Sequence, residues 1–86
     1  MVNFEAGKWY KANIYNENWY IKYKETISNT IKVSMYINGS EFVNKEGNFG
    51  SPGTYNFKLL TDLTEIIKYL PQGHPDIKIN QIHELW

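Results

Sequence analysis

The run Ile31-Lys32-Val33-Ser34-Met35-Tyr36-Ile37 alternates its aliphatic side chains with Lys32, Ser34 and Tyr36, and Asn38-Gly39 follows at once. A strand sends successive side chains to opposite faces, so a period of two specifies a half-buried strand rather than a helix. Asparagine-glycine tolerates the positive φ angles of a type I′ turn, so Glu41–Asn44 is expected to pair back onto that strand. The same reasoning extends in both directions. Trp9–Tyr15 reads as a strand, Asn16-Glu17-Asn18 as its turn and Trp19–Lys24 as the returning strand. In the returning strand Trp19, Ile21 and Tyr23 share one face and Tyr20, Lys22 and Lys24 the other. Gly47–Gly53 reads as a flexible loop or broad hairpin end, and Tyr55, Phe57 and Leu59 give a further strand by alternation.

A helix is expected over Asp62–Leu70. Asp62 can cap its amides, Glu65 stands at the capping-box position, and Leu63, Ile66, Ile67 and Leu70 form an apolar stripe at helical spacing. Pro71 ends it, because the ring cannot continue the hydrogen-bond ladder. The expected fold is mainly β with one short α-helix. It is a small five-stranded antiparallel sheet or an Src-homology-3-like barrel, followed by a C-terminal helix and tail. Residues 1–76 are expected to form a single domain that includes helix 62–70. Residues 77–86 make an apolar tail packing on that domain or on a partner subunit, through Ile79, Ile82, Leu85 and Trp86.

A chain of 86 residues lies near the size at which one core only just suffices, and its three tryptophans, seven tyrosines and four phenylalanines supply the area required. With no cysteine there is neither a disulfide framework nor a thiolate metal site. No apolar run approaches the length of a membrane span. The start Met-Val-Asn-Phe-Glu lacks the basic region and apolar core of a signal peptide, so a cytoplasmic location is expected. Formal net charge is zero and all nine basic residues are lysines, which argues against a strong counterion-release affinity for nucleic acid over the whole surface.

The sequence recommends no catalytic set. It has no cysteine nucleophile, no glycine-rich phosphate loop before a helix and no Ser/His/Asp constellation. Glu41 and Glu46 read as solvating a hairpin rather than as an acid/base pair. His74 and His83, with Asp76 or Glu84, lack the spacing of a structural metal site. The expectation is a protein that is not an enzyme and needs neither cofactor nor metal. The polar strand face offers more. One allowed register sets Tyr20 opposite Tyr36 and Lys24 opposite Lys32, with Lys22 and Ser34 between them. Interleaved tyrosine and lysine can stack bases and neutralise phosphates, can contact a protein partner, or can simply be a solvated face. Phe49 among glycines is either a core anchor or an exposed contact. Tyr20, Lys22, Lys24, Lys32, Tyr36 and Phe49 are therefore the candidate partner-binding residues.

Two resemblances concern the C-terminal half. His74-Pro75-Asp76 matches the loop tripeptide of chaperone J-domains, but such a domain needs a helical hairpin around that loop, and the residues before it here are strand-patterned. The passage Glu65-Ile66-Ile67-Lys68-Tyr69-Leu70-Pro71-Gln72-Gly73-His74-Pro75-Asp76 resembles a segment of small bacteriophage-encoded proteins. In those it follows an aromatic strand module opening much like Gly7-Lys8-Trp9-Tyr10. The resemblance implies a phage-type binding protein in the host cytoplasm that engages and inhibits a host protein, such as a component of a bacterial defence system. A single-stranded nucleic acid or a nucleotide, held by the tyrosine–lysine face, is the alternative partner. Self-association through the tail is a further expectation.

Overall fold

The alternating run does form a strand, yet its two halves face opposite sides of the sheet. The computed structural model describes residues 3–51 and 53–77. It contains β1 (Trp9–Ile14), β2 (Glu17–Ile27), β3 (Thr30–Asn38), β4 (Glu41–Val43), β5 (Gly47–Phe49), β6 (Lys58–Leu59) and α1 (Thr64–Ile67). The sheet is antiparallel in the order β4-β3-β2-β1-β6, with β5 also on β3. Because β4 pairs with Tyr36–Asn38 and β5 with Ile31–Val33, the two occupy one strand position interrupted at residues 44–46. Five positions are thus filled by six strands. What reads in the sequence as a loop from Gly47 begins as paired strand, and the strand expected over Tyr55–Leu59 narrows to Lys58–Leu59.

The inversion comes from bulges. Lys22 pairs with Met35 but Tyr23 with Val33, leaving Ser34 as an extra residue; Lys24 is the extra residue on β2 before Glu25 pairs with Lys32. A one-residue insertion exchanges the faces of everything beyond it. Ile31 and Val33 therefore join one core cluster with Tyr10, Ala12, Ile21 and Phe57. Ile37, with Met35 against it, joins another with Trp9, Tyr20, Ile66 and Leu70. Both faces are covered. Adjacent residues such as Trp9 and Tyr10, or Tyr20 and Ile21, are consequently buried together.

The turns differ in detail from the sequence reading. Ile14 pairs with Glu17 across Tyr15-Asn16, whose φ angles of 51° and 66° define a two-residue type I′ turn in place of Asn16-Glu17-Asn18. Asn38 is itself paired, with Glu41, so the next turn is Gly39-Ser40 with positive φ at Gly39 alone, a type II′ pattern.

Helix α1 is one turn, shorter than expected, and residues 75–77 are helical again. Asp62 Oδ1 accepts from the Thr64 backbone N–H at 2.9 Å and from its hydroxyl, whereas Glu65 leaves the capping-box role and pairs with Lys11 at 3.1 Å. The chain then tightens. Tyr69 and Leu70 donate to the carbonyls of Ile66 and Ile67, three residues back, at 2.9 and 3.2 Å. Leu63, Ile66 and Leu70 of the expected stripe still pack on the second cluster. Among the described residues no helix is long and apolar enough to cross a membrane. The tail positions Ile79, Ile82, Leu85 and Trp86 lie outside the described residues.

Candidate functional site

The His74-Pro75-Asp76 loop lands on the sheet where Trp9 and Lys22 stand directly opposite each other on β1 and β2. Asp76 is only 7% exposed. Its carboxylate accepts the Trp9 indole N–H at 2.8 Å and the Lys22 ammonium at 3.0 and 3.2 Å. Burial pushes the Asp76 carboxyl up, but the Trp9 and Lys22 hydrogen bonds and the nearby positive charge outweigh it, holding the group below the ordinary carboxylate value. The Asp76 backbone N–H donates to His74 Nδ1 at 3.1 Å, where the helical residues 75–77 begin. His74 Nε2 lies 3.3 Å from Met35 Sδ, and its ring meets Phe42 edge-on at 5.8 Å. Every polar atom of the tripeptide's side chains is engaged with the fold, so the loop acts as a latch on the sheet. Sequence reasoning missed the latch, because the Trp9–Asp76 contact spans 67 positions and nothing local marks it.

The expected tyrosine–lysine face does not assemble. Tyr20 pairs with Ile37 rather than Tyr36, Tyr36 with Ile21, and Lys32 with Glu25 rather than Lys24. The cause is the hairpin register: the two-residue turn Ser28-Asn29 sets Ile27 opposite Thr30, and that register places Tyr20 opposite Ile37 and Lys32 opposite Glu25 on either side of the bulges. Tyr20 is buried beneath α1, and its hydroxyl is pushed up to about 12 by burial and by the Glu65 carboxylate beside it. Lys22 belongs to the latch. Lys24 pairs with Glu46, each stabilising the other's charged form, and Lys32 donates to Asn48 Oδ1 at 3.0 Å. Tyr36 stands on the other face.

What that other face brings together is aromatic. Trp19 and Tyr36 stack at 5.9 Å between centroids, and Phe49 meets both edge-on, at 5.3 and 5.9 Å. Phe49 also reaches Phe57 at 6.2 Å and packs on the first cluster while staying partly exposed. Gly47 makes room for this: a Cβ there would lie 3.2 Å from Tyr36 Cε1. Trp19 and Tyr36 remain partly exposed. At the adjoining end of the sheet the two turns meet, with the Gly39 N–H donating to the Asn18 carbonyl at 2.8 Å. From this end Tyr15 projects 93% exposed. Neither Tyr15 nor Trp19 stood out in the sequence as a contact; a tyrosine beside Asn16 in a turn was the available signal.

A shallow groove of about 370 Å³ also lies between β6 and α1, lined by Leu59, Leu60, Thr61, Asp62, Thr64 and Glu65. Its carboxylates are engaged, Glu65 by Lys11 and Asp62 by Thr64. Among the described residues no three His, Cys, Asp or Glu side chains are grouped to hold a metal. Comparison with known proteins finds no family model, no curated protein and no solved structure that matches this chain.

Proposed function

We propose that this chain is a non-enzymatic binding protein that engages another protein through the Trp19 face. The observation that carries the reading is the cluster of Trp19, Tyr36 and Phe49, fixed by ring contacts across three strands while all three residues stay partly exposed. Tryptophan and tyrosine held rigidly at a surface are the side chains that dominate protein–protein binding energy, since they bury large area at small entropic cost. Tyr15 adds a fully presented ring on a two-residue turn. The resemblance to phage-encoded proteins supports a host protein as the partner, such as a component of a bacterial defence system, met in the host cytoplasm. A nucleic-acid reading draws less support, because Lys22, Lys24 and Lys32 are engaged by Asp76, Glu46 and Asn48.

The test is capture from bacterial lysates. The wild-type chain is expected to retain a stoichiometric protein partner, and Trp19→Ala to lose it. Tyr15→Asn guards against misfolding as the cause, because asparagine accepts the left-handed conformation at that turn and removes only the ring. Equal capture by all three chains, or no partner from several hosts, would sink the proposal.

A further inference from the structure

The Trp19 face carries a charge pattern that identifies the chemistry of what it takes. Residues directly opposite in a ladder share a face, so Ala12, Trp19, Asn38 and Glu41 form one row across β1, β2, β3 and β4. Glu17 lies opposite Ile14, which packs on the cluster beneath this same face, and two residues before Trp19. Both glutamates are exposed, and neither has an ion pair among the described residues, unlike Glu46 with Lys24 and Glu65 with Lys11. Over residues 12–19 and 36–43 they are the only charged side chains; the chain's nine lysines all lie elsewhere. Aromatic ring faces are themselves the negative part of a quadrupole.

The geometry points to a cationic segment of a protein as the occupant, with an arginine or lysine over the exposed part of the Trp19 or Tyr15 ring and Glu17 and Glu41 beside it. This rests on the Trp19 face being the docking face and names its partner's chemistry. Unpaired carboxylates beside partly exposed aromatic rings attract a guanidinium or ammonium and repel phosphate, so the same arrangement selects against nucleic acid.

The test titrates the full chain with a peptide of alternating arginine and glycine, and separately with its glutamate-glycine counterpart, followed by NMR. The arginine peptide is expected to shift the Trp19 indole N–H and the amides of residues 15–19 and 38–41, less at high salt, while the glutamate peptide leaves them in place. Replacing both carboxylates (Glu17→Gln with Glu41→Gln) should weaken arginine-peptide binding about fivefold, the scale of exposed charge pairs. Shifts spread equally over Glu5, Glu25 and Glu46, or binding unchanged in the double variant, would overturn it. So would self-association through these residues on light scattering, which would make a second copy the occupant. Capture from lysate separates the two levels. If the double variant captures the partner as well as wild type while Tyr15→Asn does not, the cationic partner is wrong and the docking face stands. If Tyr15→Asn and Trp19→Ala both capture normally, the face itself is wrong.

Discussion

Asp76 shows how one side chain does work that its sequence neighbours do not announce. It lies where the chain turns helical again, at residues 75–77, and its carboxylate binds Trp9 and Lys22 across the sheet. Removing its charge leaves a buried indole N–H and a largely buried ammonium poorly satisfied. Asp76→Asn is therefore expected to cost about 2 kcal/mol at neutral pH, measured from urea unfolding. The pH dependence has a definite sign. Because the folded carboxyl is held below its ordinary value, the unfolded chain takes up the proton first as pH falls. The stabilisation is present above about pH 4, the ordinary carboxylate value, and fades as pH drops further through the folded value. The stability gap between wild type and Asp76→Asn should accordingly narrow from pH 7 to pH 3. A gap that stays constant over that range would show that the charge of Asp76 is not what matters.

At the level of elements, the sequence displays strands where hydrophobicity alternates and turns where glycine or asparagine allows positive φ, and β1 to β4 stand close to where those signals put them. What it does not display is the bulge. Ser34 continues the alternation of Ile31–Ile37 without a break, yet its place in the ladder sends Ile31 and Ile37 to different cores. Tyr36 and Lys32 fall on opposite faces for that reason, while Tyr20 misses Tyr36 because the turn Ser28-Asn29 sets the register one residue away, and with both goes the expected tyrosine–lysine site. Bulges arise from pairing between strands, so a single strand's pattern cannot reveal them. Strand β5 was hidden differently: three residues rich in glycine and asparagine carry little strand signal, and Gly47 is there for close approach rather than flexibility. Its Cβ would meet Tyr36 at 3.2 Å and Val33 Cγ2 at 3.5 Å, and the Tyr36 ring is already confined by Trp19 and Phe49. Gly47→Ala is expected to destabilise by about 1–2 kcal/mol through overpacking and to shift the Trp19 indole signal. Gly50→Ala is the control, because its Cβ would lie at an ordinary 3.4 Å from Thr54 Oγ1. Equal, negligible effects from the two would mean that Tyr36 is not held where the ring contacts place it.

Across the whole molecule one sheet separates two covers of unequal strength. On the Trp19 side the cover belongs to the sheet itself, through Phe49 on β5 and Phe57 beside β6. On the other side it is α1 and the latch loop, a single helical turn followed by i−3 hydrogen bonds and one buried ionic contact. A helix that short has no stability of its own, so its order depends on burying Ile66 and Leu70 and on the bonds to Asp76. Segments held by few tertiary contacts open at lower free energy than the strands beneath them. The amides of Tyr69 and Leu70 should therefore exchange with solvent hydrogen through a partial opening, well before those of Ile21 and Val33, and Asp76→Asn should speed the first pair more than the second. Because the docking face lies on the opposite side of the sheet, the same substitution should leave partner capture and the Trp19 indole signal unchanged. If all four amides instead exchange with one free energy, equal to that of global unfolding, the two covers are a single cooperative unit and the latch cannot loosen without the binding face being lost as well.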